Sequence, residues 1–244
     1  MSNKNLLIAL GDSWTEGVGC YTDEIISKYK SNKITEDEAF NLGRQHFNLN
    51  SWPTVLSKLL NFDVINLGLA GSSNSAMAKL LINEHDKNYK DTYENVYVIF
   101  LISEPARISF YSDKKIQSWQ PSGNPIDPIM EIYIKEIMHS NYDTDMESVF
   151  ALKTINYYCQ AKGYKFLYGS AFYNVNSSLN VLFNLPEQNL HNFMKQQSMI
   201  HIVNNPELKS QLGCGHPNQK GYTVIADKIY SIMIEINGYN ADRT

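Results

Sequence analysis

Only three cysteines occur in 244 residues, Cys20, Cys159 and Cys214, an odd number with wide spacing and no C-x-x-C pair. That excludes a disulfide framework and a structural zinc site, and it fits a reducing compartment. Lysine and arginine form no run, and 21 of them against 25 acidic residues leave a net charge of −4 at pH 7. Without a basic patch there is no electrostatic footprint for a phosphate backbone, so nucleic acid is not an expected partner. Long apolar runs are missing as well. Leu6 to Leu10 stops at Gly11-Asp12, too short for a signal-peptide core or a bilayer span. The sequence therefore predicts a soluble, cytoplasmic protein with no membrane partner. With 13 glycines and 8 prolines, collagen-like and low-complexity architectures are excluded too.

What is present is a folding composition, 43% hydrophobic and 19% charged, apolar enough to bury a core. A length of 244 residues fits a single α/β domain over 1–244. Sixteen tyrosines and 12% aromatic residues suit either a polar contact surface or an aromatic core whose phenols reach water. Short apolar runs at Leu6–Leu10, Val64–Leu67, Val96–Ile102 and Lys165–Tyr168 predict strands buried on both faces. Helical patterns lie between and after them. One opens at Ser51-Trp52-Pro53, with Ser as cap and Pro in the first turn. Others run from Ser75 to Asn83, Met146 to Lys162, and Gly221 to Ile236, the last with Val224, Ile225, Ile229 and Ile232 on one face. Alternating strands and helices imply right-handed crossovers and a parallel sheet covered on both sides. Stretches at about 20–50, 104–144 and 173–211 break the alternation. They leave the carboxyl edge of the sheet, where open α/β sheets hold their ligands, and are candidate lid elements.

Two segments carry candidate chemistry. In the first, the strand Leu6–Leu10 ends in Gly11-Asp12-Ser13 and presents Ser13 at the start of the next element. There its hydroxyl is exposed at the sheet edge and its own N–H, at a helix N-terminus, can face a developing oxyanion. Gly-Asp-Ser is also a common turn sequence, in which Asp12 holds the turn by local hydrogen bonds. In the second, Gly213-Cys214-Gly215-His216-Pro217 precedes the last helix, where an imidazole can reach a serine and act as general base. Cys214 and His216 are too few ligands for a metal site. Gly17-Val18-Gly19 completes no dinucleotide fingerprint and Gly-x-x-x-x-Gly-Lys is absent, so neither a metal nor a cofactor is predicted.

Together these blocks resemble the SGNH (GDSL) hydrolase family. The resemblance spans nearly the whole chain and implies a three-layer α/β/α fold with a parallel flavodoxin-like sheet. It implies Ser13 as nucleophile, His216 as base, and hydrolysis of an ester or acetyl ester through an acyl-enzyme, on a small-molecule or glycan substrate. By the same likeness Asn66 to Asn74 is the loop after the second strand, with Gly71 as oxyanion donor and Asn74 beside it. Two blocks depart from the pattern. The family's Gly-x-Asn-Asp after the third strand is replaced by Ile102-Ser103-Glu104-Pro105-Ala106-Arg107, and the acid before the histidine by Gly213 and Cys214. Ser103 is a weak substitute donor, and Arg107 a partner for Glu104, an anion site or a plain surface ion pair. Losing an oxyanion donor costs about 10²–10³ in rate, and losing the triad acid about 10⁴. The departures leave a rival reading open, in which this fold is a binding or structural protein with protein partners, for instance in a virus particle.

Overall fold

The computed structural model describes residues 4–85, 88–103, 107–112, 115–119, 141–170, 205–212 and 215–237. Four parallel strands form the central sheet: β1 (Asn5–Leu10), β2 (Asp63–Asn66), β3 (Asn95–Ile102) and β6 (Lys165–Ser170), in the order β2-β1-β3-β6. They are the four strands expected from the apolar runs. Leu10 lies opposite Phe100 and Ile102 opposite Ser170, so the carboxyl ends of β1, β3 and β6 open on one edge.

Successive strand residues face opposite sides of a sheet. Leu7 and Ala9 with Tyr97, Ile99 and Leu101 form one core, filled by Trp52, Leu56 and Leu60 of α4 (Trp52–Leu60). Across the same face lie Tyr222, Ile225, Ala226, Ile229 and Met233 of the last helix, α7 (Gln219–Asn237). Val224 and Ile232, expected on its buried face, are only partly buried, because the helix turns Tyr222 and Ala226 inward instead. On the other face Leu6, Ile8 and Leu10 with Val96, Val98, Phe100 and Ile102 meet Met77 of α5 (Asn74–Lys79). Ala151, Leu152, Ile155 and Cys159 of α6 (Asn141–Lys162) complete that layer. The fold is a three-layer α/β/α sandwich.

The stretch after β1 is helical. It runs from α1 (Ser13–Glu16) through α2 (Asp23–Lys30) to α3 (Glu36–Asn50). Thr22 accepts a hydrogen bond from the Ile25 N–H, and Thr35 and Glu38 form a capping box. Phe47 of α3 is fully buried in the first core, so α3 is packed structure. Ser51 has cap geometry for α4, but its hydroxyl donates to the Asn48 carbonyl at 3.1 Å. It serves the end of α3, because α3 and α4 share it as a joint. The helix expected over Ser75 to Asn83 gives way at Leu80–Glu84 to a π turn. Within the second stretch, β4 (Ile108–Ser112) and β5 (Lys115–Trp119) pair antiparallel. Most of the third, including 173–204, lies outside the described residues, as do Glu104, Gly213 and Cys214. Among the described residues no helix is long and apolar enough to cross a membrane.

Candidate active site

Gly11 and Asp12 turn the chain from β1 into α1. Asp12 is extended (φ −91°, ψ −151°), and its Oδ1 accepts from the Trp14 N–H at 3.0 Å, capping the short helix. Its Oδ2 meets Nη1 of Arg107 at 2.6 Å. With side chains 2% and 9% exposed, this is a buried ion pair. Arg107 therefore pairs across the sheet edge with the residue before Ser13. The guanidinium also keeps a buried Nε that has no partner among the described residues.

His216 reaches the same place from the far end of the chain. Its carbonyl accepts from the Ser210 N–H at 2.8 Å, the Asn218 N–H donates to the Leu208 carbonyl at 2.8 Å, and Lys209 bridges Pro217. Asn218 locks this bend. Its Nδ2 donates to the carbonyls of Glu207 and Lys209, and its Oδ1 accepts from the Gly221 N–H, capping α7. The Tyr222 hydroxyl, fully buried, donates to the Val18 carbonyl at 2.7 Å and ties α7 to the exit of α1. The result is a contact of 2.8 Å between His216 Nε2 and Ser13 Oγ, across 203 residues of sequence. Trp14 is buried in the first core with its ring 6.3 Å from the imidazole.

Gly19 makes that approach possible. It has φ +107°, and a Cβ there would sit 2.3 Å from the Pro217 carbonyl oxygen and 3.0 Å from Cβ of His216. Gly19→Ala is expected to cost at least about 1–3 kcal/mol from backbone strain alone. It should also push the His216 loop away from Ser13. Thermal unfolding and the rate of covalent labelling of Ser13 measure the two effects, and both should fall.

Leu69 to Ser72 form a turn in which the Ser72 N–H donates to the Leu69 carbonyl at 3.0 Å and Gly71 has φ +76°. A positive φ at the third position is that of a type II turn. The Leu69 N–H donates to the Gly11 carbonyl at 3.0 Å, which sets this loop beside the nucleophile turn. Asn74 and Ser103 are buried and turned on each other. The Ser103 N–H donates to Asn74 Oδ1 at 2.8 Å, and the Ser103 hydroxyl lies 3.2 Å from the Ser72 carbonyl and 3.1 Å from Asn74 Oδ1. Asn74 Nδ2 donates in turn to the Ser148 hydroxyl and the Ser103 carbonyl. The pair thus clasps the end of β3 to the start of α5.

Sequence reasoning missed three polar residues in this frame: Arg44, Asn66 and Asn218. Asn218 had a signal, an Asn just before a helix. Asn66 Nδ2 donates to the Thr15 carbonyl at 2.8 Å, and Arg44 Nε donates to Glu16 Oε1 at 3.1 Å. Neither contact has a local pattern. Among the described residues no three His, Cys, Asp or Glu side chains converge as a metal site. Cys20 and Cys159 are buried thiols pushed up to about 12 by burial, which removes them as nucleophiles near neutral pH.

The family profile of GDSL-like lipases and acylhydrolases matches residues 7–229, a span that includes both Ser13 and His216. The chain belongs to that family. No curated protein matches it in sequence. This GDSL-family chain shares its fold with solved carbohydrate esterases. An acetyl xylan esterase from Butyrivibrio proteoclasticus aligns with a TM-score of 0.54 and 11% identity over 98% of this chain and 65% of its own. A carbohydrate esterase whose active site displays divergent catalytic and non-catalytic binding functions gives 0.56 and 11%, over 99% and 67%. A family 2 carbohydrate esterase with a carbohydrate-binding domain from Corynascus thermopiles (Myceliophthora fergusii) gives 0.51 and 10%, over 98% and 68%. At these identities the likeness is one of fold.

Proposed function

We propose that this GDSL-family chain is a serine esterase in which Ser13 and His216 act as a catalytic pair on a small or carbohydrate-linked ester. The observation that carries the proposal is the 2.8 Å contact between Ser13 Oγ and His216 Nε2, within the reach that a nucleophile and its base require. His216 takes the Ser13 proton as Oγ attacks the carbonyl carbon. It then returns that proton to the leaving alcohol, and a water repeats the cycle on the acyl-enzyme to release the acid. The N–H groups of Ser13 and Gly71 receive the oxyanion.

Charge balance supports a third donor. Asp12 already neutralises Arg107, so the pair favours no permanent anion. It suits an oxygen that becomes negative as His216 becomes positive. Arg107 Nε, buried and with no partner among the described residues, is the group we propose for that role in place of the Asn that the family pattern has after the third strand. Ser103 and Asn74, committed to each other, serve by holding the frame. The carbohydrate esterases of the same fold support an acetylated sugar as the first substrate class to try.

Reaction of the protein with a fluorophosphonate, followed by intact mass, tests the pair without knowledge of the ester. A single adduct on Ser13 that Ser13→Ala removes is the expected result, followed by turnover of acetylated sugars. A folded sample that takes no adduct would overturn the reading in favour of the binding or structural role.

A further inference from the structure

We propose that Glu16 is a positioning residue for the Gly71 amide, and that Arg44 of α3 holds its carboxylate in place; the inference rests on the Ser13–His216 reading. Glu16 closes α1, three residues after the nucleophile, and its side chain is only 12% exposed. Its two oxygens are divided. Oε2 accepts from the Ala70 N–H at 2.7 Å, and Oε1 accepts from Arg44 Nε at 3.1 Å. A carboxylate this buried needs both a counter-charge and hydrogen bonds to remain there, and it has one of each.

The contact with Ala70 matters because of the turn it grips. Ala70 is the second residue of the turn Leu69–Ser72, and Gly71 is the third. Types I and II differ in ψ of the second residue, about −30° against about +120°. The change turns the central peptide over and reverses the direction of the third residue's N–H. At Ala70–Gly71 that N–H is the proposed oxyanion donor. Glycine permits the positive φ seen at Gly71, but it permits the alternative equally well. Gly71 alone therefore leaves the peptide free to turn. The Ala70 N–H belongs to the preceding peptide, so its bond to a buried carboxylate of the nucleophile's own helix anchors the entrance of the turn to α1 and sets how far the Gly71 amide lies from that of Ser13.

Arg44 extends the device to α3. Its side chain is 53% exposed, so its value is in orienting Glu16 more than in stability. α3, which sequence suggested as part of a lid, thereby acts on the oxyanion loop through one ion pair.

The test compares fluorophosphonate labelling of Ser13 in the wild type, Glu16→Ala, Glu16→Gln, Arg44→Ala and the Glu16→Ala/Arg44→Ala double variant, with thermal unfolding of each. Full loss of an oxyanion donor costs about 10²–10³ in rate, and a donor left in place but unfixed should cost less. The expectation for Glu16→Ala is a drop of about tenfold or more in the labelling rate at saturating probe, with the half-saturating probe concentration unchanged. Glu16→Gln keeps an acceptor for Ala70 and should recover part of the loss. Arg44→Ala should give a smaller drop that disappears in the Glu16→Ala background, since it acts through Glu16. If the wild type labels and the folded Glu16 variants label at its rate, the inference fails and the Ser13–His216 reading stands. Additive effects of Glu16→Ala and Arg44→Ala would also overturn it. If the wild type takes no adduct at Ser13, the esterase reading fails and this inference fails with it.

Discussion

Arg107→Ala is expected to destabilise the protein by about 3–5 kcal/mol, because it strands the Asp12 carboxylate in a buried position without its counter-charge. For a chain of this size that is a fall in melting temperature on the order of 10 °C. The cause is the exposure of the two partners: Asp12 at 2% and Arg107 at 9% leave little water to replace the guanidinium. A surface ion pair would change stability by less than about 1 kcal/mol, so thermal unfolding separates the two cases. A rescue makes the argument stricter. Asn caps a helix as well as Asp does, so Asp12→Asn keeps the bond from the Trp14 N–H while removing the charge. The Asp12→Asn/Arg107→Ala pair should therefore be more stable than Arg107→Ala alone. A single variant within about 1 kcal/mol of wild type, or a double variant less stable than the single, would mean that the pair carries no buried charge.

How far this site was legible in sequence depends on the range of the interaction. β1 and β3 were visible because strands buried on both faces are written as continuous apolar runs, and the shorter runs of β2 and β6 marked the outer strands of the sheet, which are only partly buried. Ser13 was visible because a strand running into Gly-Asp-Ser is a local signal, and His216 because the loop before a terminal amphipathic helix is one too. Arg107 was recognisable as a candidate, but Glu104 was the only acid near enough in sequence to suggest itself as partner. Its partner here is Asp12, 95 residues away, and that pairing exists because Leu10 lies opposite Phe100 in the sheet. Registers of that kind are set by tertiary packing. α3 was passed over for a different reason. Only Ala39, Gly43 and Phe47 of its fifteen residues are buried, a stripe too thin to stand out against a polar helix. Its start was nevertheless written in Thr35 and Glu38, the two ends of a capping box.

The second large effect concerns His216. His216→Ala should lower the rate of Ser13 labelling by about 10²–10⁴, the usual worth of a positioned general base. Neither Gly213 nor Cys214 offers a carboxylate, the group that orients the ring and stabilises the imidazolium in complete triads. Stability should move little, since the ring is only partly buried and the loop is held by its backbone and by Asn218. Deleting the ring also opens a space beside Ser13 Oγ, and free imidazole diffusing into it should restore part of the labelling rate. Recovery with imidazole would assign the loss to a missing base and not to a displaced loop. A variant that labels at the wild-type rate would show that Ser13 is activated by something other than the group 2.8 Å away.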